Sequence, residues 1–134
     1  INKMNIFGIG TDIVNTKRIE KSIKMYGNKF KNKIFTKKEI RYCENKKNPA
    51  PFYAKRFAAK EAFTKALGTG FRKNITFKNI EISNDKYGKP FITLDSSVNI
   101  FLKKKIKKKK YFIHLSLSDD RPWAHATVII SYLK

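Results

Sequence analysis

The sequence predicts an α+β fold in which an antiparallel sheet packs on one long, buried helix. The order of elements is a strand, then helices, then mostly hairpins, and a doubly wound sheet would alternate strands with helices instead. Residues 52–67 form a helix that is apolar over most of its circumference, which indicates burial. Residues 123–133 alternate apolar and polar side chains, as a strand with one buried face does. The length of 134 residues suits a single domain over residues 1–134.

The first third of the chain reads as a strand followed by two helices. Residues 4–14 are rich in β-branched side chains and favour a strand. Thr16 is expected to cap a helix that ends at Gly27. Thr36 and Glu39 have the spacing of a capping box, so a short helix is predicted after Thr36.

The rest of the chain changes from helix to mainly strand. A loop over Asn45–Pro51 leads into the helix at 52–67, and Gly68-Thr69-Gly70 ends it. The alternation within 75–83 slips in phase, which indicates a strand with a bulge. A turn near residues 84–88 and a returning strand at 90–94 then make a hairpin. We expect a helix at 96–106, followed by two strands, 111–118 and 123–133, that a turn at 119–122 joins.

Charge is the strongest compositional signal. Lys and Arg number 31 against 10 Asp and Glu, which gives a net charge of +21. Such a chain attracts nucleic acid, phosphorylated small molecules, acidic proteins or an anionic membrane surface. Lys, Ile and Asn are abundant together, and AT-rich coding would also produce much of this surplus. The single cysteine, Cys43, excludes a disulfide framework and a cysteine-based zinc site, and we expect a reducing cytoplasm. No apolar run approaches the about 20 residues that a membrane span needs.

Two carboxylates stand out because acidic residues are few. Asp12 follows Gly8-Ile9-Gly10-Thr11, which lacks the third glycine and the βαβ unit of a dinucleotide loop. Its side chain therefore caps a turn, pairs with a lysine, or serves a site. Glu61 lies on a small-residue, apolar arc of the 52–67 helix, where a carboxylate needs a partner or a metal. Lys65, four residues later, either pairs with Glu61 or points at an anion beside it.

A third place is the strand that precedes the last turn. His114, Ser116 and Ser118 share one strand face next to Asp119 and Asp120. Small hydroxyls beside a turn suit phosphate, although a solvated strand face gives the same pattern. The sequence supports no Ser/His/Asp or Cys/His triad.

Five segments in one order resemble the holo-acyl-carrier-protein synthase family, the short class of 4′-phosphopantetheinyl transferases: GIGTDIV, FTKKE, RFAAKEAFTKALGTG, DKYGKP and LSLSDD. The resemblance implies that family's fold and a cytoplasmic role in fatty acid biosynthesis. It implies Mg²⁺-dependent transfer of 4′-phosphopantetheine from coenzyme A to a serine of apo-acyl-carrier protein, with adenosine 3′,5′-bisphosphate as the other product. The carrier protein is small and acidic, which suits a charge of +21.

The same resemblance assigns roles to residues. Asp12 and Glu61 match the family's Mg²⁺ ligands, and Glu61 and Lys65 match its catalytic positions. The positions that dock the carrier protein are Arg18, Lys21 and Lys24. The positions that bind coenzyme A are Arg56, Lys60, Gly68, Thr69, Gly70, Ser118 and Asp119. Many relatives have histidine at the position of Asp119, so the resemblance carries no proton-handling histidine over to this chain.

The family also implies a homotrimer with active sites between chains, and the alternating strand Ala124–Ile130 is expected to pack near the threefold axis.

The sequence leaves two competing hypotheses about function. A basic RNA- or DNA-binding domain would explain the charge and the Lys103–Lys110 cluster, but it leaves Asp12 and Glu61 unexplained, because carboxylates oppose phosphate binding unless a metal intervenes. A coenzyme-A-binding protein without activity is the third hypothesis, and only Asp119 hints at it.

Overall fold

The computed structural model describes residues 3–71, 75–107 and 110–134. Its elements, in chain order, are β1 (Met4–Asn15), α1 (Thr16–Tyr26), α2 (Asn28–Ile34), α3 (Lys37–Glu44), α4 (Ala50–Leu67), a 3₁₀ turn (Phe77–Asn79), β2 (Ile80–Asn84), β3 (Pro90–Leu94), α5 (Ser96–Lys105), β4 (Tyr111–Asp120) and β5 (Trp123–Leu133). The three long strands form an antiparallel sheet in the order β1-β5-β4, and β2 and β3 form a separate antiparallel hairpin. The α+β prediction, with an antiparallel sheet on a long helix, is confirmed. Of the Lys103–Lys110 cluster, residues 108 and 109 lie outside the described ranges.

Helix α4 packs closely on the sheet because small residues meet at the contact. A side chain at Gly8 would overlap the carbonyl oxygen of Ala66, and one at Gly10 would overlap that of Ala62. These two glycines therefore let the helix backbone approach the strand backbone. Asp12 has the same strand parity as both glycines, so it also faces the helix. The glycine motif of the sequence thus packs a helix and brings Asp12 beside α4.

The central strand β5 lies next to β1 and also packs its apolar side chains against α4. Ala124, Ala126, Val128 and Ile130 are all 0% exposed and belong to the core that surrounds α4. The chain's own helix covers these side chains, and the packing of the strand Ala124–Ile130 near a threefold axis stays a prediction. Any contact of β5 with another copy has to use the opposite face of the strand.

Helix boundaries depart from the sequence prediction at three points. Asn15 caps α1 by accepting a hydrogen bond from the backbone N–H of Lys17, whereas Thr16 was expected to do so. Helix α2 begins directly after Gly27, where the chain was expected to stop being helical. Helix α4 starts at Ala50, and Pro51 in its first turn is at a position where the missing N–H costs nothing.

The segment before β2 is a turn and not a bulged strand. Residues 77–79 form a 3₁₀ turn, and Asn79 accepts hydrogen bonds from the backbone and hydroxyl of Thr76. This turn produces the slip in apolar phase that the sequence shows. The capping box of α3 is confirmed, since Thr36 and Glu39 exchange both expected hydrogen bonds. Among the described helices, none has the length and apolar character of a membrane span.

Candidate active site

Asp12 and Lys65 form a partly open ion pair between β1 and α4. The Nζ atom of Lys65 lies 3.3 Å from Oδ1 of Asp12 and donates a hydrogen bond to the carbonyl oxygen of Thr11 at 3.0 Å. The side chain of Lys65 is 55% exposed and that of Asp12 is 18% exposed. The expected pairing of Asp12 with a lysine is therefore present, in a geometry that leaves both groups within reach of a ligand.

Glu61 lies beside this pair and has a raised pKa. Burial is the main cause of the raised pKa, and the negative charge of Asp12 adds to it. The charges of Lys65 and Arg18 act in the opposite direction. Within the described ranges, Lys65 forms its ion pair with Asp12 and none with Glu61, so the i,i+4 pair considered from the sequence is not formed. Two mutually repelling carboxylates on facing elements are a favourable place for a cation.

The donor set of this place suits a hard cation that keeps other ligands. The described part of the chain contains no group of three or more His, Cys, Asp or Glu side chains placed to hold a metal ion. Mg²⁺ commonly binds through one or two carboxylates and completes its shell with water and substrate phosphates. Asp12 and Glu61 match that requirement.

Lys60 points away from the site into a closed buried network. Its Nζ atom lies 2.8 Å from Oε1 of Glu39 and donates to the carbonyl oxygens of Phe77 at 2.8 Å and Ile80 at 2.6 Å. Both side chains of the ion pair are 0% exposed. An ammonium group has three protons, and these three oxygens use all of them. The expected contact of Lys60 with coenzyme A phosphates is therefore not supported by this geometry, and its role is to hold β2 on α4.

Arg56 is also buried, and its hydrogen bonding is incomplete. The guanidinium donates from Nη2 to Oδ1 of Asn84 at 2.6 Å and lies 4.0 Å from the ring centre of Tyr42. Its Nε atom has no hydrogen-bond partner among the described residues. Arg56 is 2% exposed, so a phosphate would reach it only if neighbouring side chains moved.

The glycine-rich turn after α4 continues directly from the site. Gly68 and Gly70 have φ of 86° and 65°, a backbone conformation that favours glycine. The N–H of Gly68 donates to the carbonyl oxygen of Thr64 at 3.0 Å and closes the helix. The hydroxyl of Thr69 donates to the carbonyl oxygen of Gly70. This turn lies three residues after Lys65, so its place near the site is consistent with the sequence prediction.

Ser118 and Asp119 lie on β4, at the opposite edge of the three-stranded sheet from Asp12 on β1. Ser118 is exposed on β4, together with His114 and Ser116, as the strand alternation predicts. Asp119 forms an ion pair with Lys55 of α4 at 3.4 Å. Strand β5 separates β4 from β1, so two interstrand spacings, about 10 Å, lie between the two predicted halves of the site. Asp12 and Asp119 therefore contact different parts of α4, Asp12 through Lys65 and Asp119 through Lys55.

The three basic residues of α1 differ in their surroundings. Arg18, Lys21 and Lys24 are all exposed. The guanidinium carbon of Arg18 lies 5.9 Å from the ring centre of Phe57, and its charge acts on Glu61. Arg18 thus borders the carboxylate site, whereas Lys21 and Lys24 lie farther along the helix.

Cys43 packs in the core, and Lys55 lies beside Asp119. Burial raises the pKa of the Cys43 thiol to about 12, and the side chain is 0% exposed, so this cysteine packs and does not react. Sequence reasoning missed Lys55, which follows a lysine-poor stretch of apolar residues and carries no motif of its own. The signal that was available is Asp119: a carboxylate at an expected phosphate site requires a cation beside it.

Comparison with known proteins places the chain among enzymes of one kind. The 4′-phosphopantetheinyl transferase superfamily matches residues 8–128. A holo-[acyl-carrier-protein] synthase of Wolbachia pipientis is 48% identical over 128 residues, which cover 93% of this chain and 97% of that protein. The crystal structure of the holo-[acyl-carrier-protein] synthase from Neisseria meningitidis is 39% identical, with a TM-score of 0.86, and the match covers 94% of this chain and 98% of the other. The Helicobacter pylori synthase, crystallised in complex with coenzyme A, is 34% identical with a TM-score of 0.77, over 91% of this chain and 98% of the other.

Proposed function

The chain belongs to the holo-acyl-carrier-protein synthase family of 4′-phosphopantetheinyl transferases, and from that premise we propose that it transfers the 4′-phosphopantetheine group of coenzyme A to a serine of an apo-acyl-carrier protein. The observation that carries the proposal is the meeting of Asp12, Glu61 and Lys65 between β1 and α4. Relatives whose structures were solved with coenzyme A, from Helicobacter pylori and Bacillus anthracis, support coenzyme A as the donor. We place the reaction in the cytoplasm, in fatty acid biosynthesis.

The reaction needs no nucleophile from this chain, because the carrier serine provides it. The serine oxygen bonds to the phosphorus that bears the pantetheine, and the bond from that phosphorus to the bridging pyrophosphate oxygen breaks. Adenosine 3′,5′-bisphosphate leaves with the electron pair. Glu61 takes the serine proton, and its raised pKa brings it nearer to the range of an effective general base. Lys65, which is 55% exposed beside Asp12, stabilises the charge that develops on the leaving phosphate.

Asp12 and Glu61 are the residues that would hold Mg²⁺. The fit rests on the repulsion between the two carboxylates, which contributes to the raised pKa of Glu61 and which a divalent cation would relieve. When bound there, Mg²⁺ polarises the pyrophosphate and offsets its charge. Lys65 at present neutralises Asp12 and is placed to turn to the substrate phosphates instead.

The remaining assigned residues divide between the two substrates. We assign coenzyme A binding to Arg56 within α4, to the turn after α4 and to the end of β4: Gly68, Thr69, Gly70, Ser118 and Asp119. Lys60 is left out, because its three donors are used inside the fold. The exposed basic face of α1, formed by Arg18, Lys21 and Lys24, is assigned to the acidic carrier protein.

The separation of Asp12 from Asp119 supports a site shared between copies, and we assign the working species as a homotrimer. The sheet leaves large apolar side chains uncovered, with Ile9 59% exposed, Ile13 60% exposed and Trp123 47% exposed. A second copy placed on that face would bury them and bring its own β4 toward the neighbour's carboxylates. Sedimentation over a dilution series tests this assignment. A monomer with full specific activity would contradict it.

The decisive experiment is mass spectrometry of an apo-acyl-carrier protein incubated with this chain, coenzyme A and Mg²⁺. The expected result is a gain of one phosphopantetheine on the carrier, and no gain when its acceptor serine is replaced by alanine. Binding of random RNA without any transfer to the carrier would contradict the proposal and favour a nucleic-acid-binding domain.

A further inference from the structure

Asp119 is an unusual residue for a phosphate site, because a carboxylate repels a phosphate at short range. Such a residue is compatible with an anionic substrate only where a cation stands beside it. The structure supplies that cation, since Nζ of Lys55 lies 3.4 Å from Oδ1 of Asp119. The pair joins the second turn of α4 to the end of β4.

Lys55 is held in place more firmly than a typical surface lysine. Its side chain is only 18% exposed, compared with 55% for Lys65 on the same helix. Its ammonium lies 4.6 Å from the ring centre of Phe52, within the range of a cation–π contact. The aromatic ring and the carboxylate of Asp119 together fix where the ammonium points. A cation oriented before binding loses less conformational entropy when an anion arrives.

The surroundings of Asp119 add further positive charge. Asp119 lines a cavity of about 360 Å³, together with Lys17, Arg121 and the half-exposed Trp123. The cavity is lined by two cations, Lys17 and Arg121, and by two carboxylates, Asp119 and Glu20. Lys55, the partner of Asp119, adds a third cation, so cations outnumber carboxylates by three to two. A phosphate entering beside Lys55 would therefore meet a net positive field.

We propose that Lys55 binds a phosphate group of coenzyme A and that Asp119 is the residue that positions Lys55 for it. The inference rests on the proposed function and adds to it a coenzyme-binding residue that the sequence did not reveal. Asp119 then belongs to the coenzyme site through Lys55 and not through a direct contact with phosphate. The phosphate is either part of the pyrophosphate or the 3′-phosphate, and both present the same chemistry to an ammonium group.

The test is the KM for coenzyme A in steady-state transfer to the carrier protein. Lys55→Met should raise this KM about 10-fold, the scale of one charge-assisted hydrogen bond, while kcat and the KM for the carrier change little. Lys55→Arg keeps the charge and should recover most of the affinity. Lys46→Met is the matched control, because the Lys46 ammonium lies 5.2 Å from the centre of the same Phe52 ring but forms no ion pair with Asp119. The KM of this variant for coenzyme A should match that of the wild type.

Asp119→Asn separates positioning from simple charge. In the wild-type background it should raise the KM about 2- to 3-fold, because Lys55 loses its partner. In the Lys55→Met background it should lower the KM, because it removes a carboxylate that no cation compensates. A merely structural pair would show its coupling in thermal stability and would leave the KM for coenzyme A unchanged in both backgrounds.

Dephospho-coenzyme A, which lacks the 3′-phosphate and keeps the pyrophosphate, shows which phosphate group Lys55 binds. If Lys55→Met no longer affects the KM with this substrate, Lys55 binds the 3′-phosphate; if the effect persists, it binds the pyrophosphate. An unchanged KM for coenzyme A in Lys55→Met, or an equal rise in Lys46→Met, would overturn the proposal. Failure of the proposed function would look different: the wild type itself would transfer nothing, and calorimetric titration of coenzyme A into the same variants would still measure the Lys55 contact.

Discussion

Two of the lysine–carboxylate pairs on helix α4 are made by lysines five residues apart and have opposite characters. Lys60 and Glu39 meet at 2.8 Å with both side chains 0% exposed. Lys65 and Asp12 meet at 3.3 Å with Lys65 mostly in solvent. The residue types are the same, so chemical identity does not decide which pair belongs to the fold and which to the site.

The difference lies in the other partners of each pair. Glu39 also accepts hydrogen bonds from the backbone N–H groups of Thr36 and Ile82, both at 2.8 Å, while Lys60 donates to two carbonyl oxygens. The buried pair is thus closed, and nothing remains for a ligand. The Lys65–Asp12 pair has one backbone contact and stands beside Glu61, whose charge it does not compensate directly. In this protein the ion pair at the candidate active site is the one whose charged groups still have room for further partners.

The largest expected effect comes from breaking the closed pair. Lys60→Met leaves the Glu39 carboxylate buried and unpaired, which should lower the free energy of unfolding by about 3–5 kcal/mol. Lys65→Met should cost less than about 1 kcal/mol, because its pair is exposed. Urea unfolding of the two variants measures the contrast.

A second substitution checks the cause of that loss. Adding Glu39→Gln to Lys60→Met should recover part of the stability, because it removes the uncompensated charge. If Lys60→Met keeps wild-type stability and instead raises the KM for coenzyme A, Lys60 is a phosphate ligand after all, and the comparison between the two pairs fails.

The open site should respond in the opposite way. Asp12→Ala and Glu61→Ala should each lower the rate of carrier modification by about 100-fold or more, the scale of losing one electrostatic stabiliser in a site. The melting temperature should stay near that of the wild type, since neither change leaves a buried unpaired lysine. Asp120→Ala, an exposed carboxylate at the end of β4, is the control. Near wild-type turnover of Asp12→Ala at saturating Mg²⁺ would remove the metal assignment.

The basic residues of α1 test where the site ends. Charge reversal at Lys21 or Lys24 should raise the KM for the carrier about 3- to 10-fold and weaken its salt dependence, because exposed charges act mainly on association and less attraction is left for salt to screen. Arg18→Glu should also lower kcat, since Arg18 lies by Phe57 and its charge acts on Glu61. If Arg18→Glu leaves kcat unchanged, as the reversals of Lys21 and Lys24 should, then Arg18 belongs to the docking face only.

The contrast between the two pairs shows what the sequence predicts and what it does not. Patterns of apolar residues and caps were enough for the sheet, for α4 and for the capping box of α3. They also isolated Asp12 and Glu61, because carboxylates are rare in this chain. The fate of Lys60 was not predictable, because it depends on carbonyl oxygens of Phe77 and Ile80, whose places follow from the path of the backbone. The role of Lys55 was not predictable for the same reason, because its partner Asp119 is 64 residues away along the chain.

The pair Lys31–Glu44, which lies outside α4 and is intermediate in exposure, gives the smallest expected effect. Lys31 meets Glu44 at 2.9 Å with side-chain exposures of 16% and 44%, and the hydroxyl of Tyr53 donates to the same carboxylate at 2.5 Å. The hydrogen bond from Tyr53 is the main reason that the pKa of Glu44 is lowered, and Lys31 adds to it. A carboxylate whose pKa is lower in the folded state stabilises the protein at pH values above its unfolded pKa, and this contribution disappears as the pH falls through the folded pKa. Glu44→Gln should therefore lower the melting temperature slightly at pH 7, and the difference should be smaller at an acidic pH below the unfolded pKa of the carboxyl. A difference that is equal at both pH values would mean that packing of the side chain, and not its charge, holds α3 against α4.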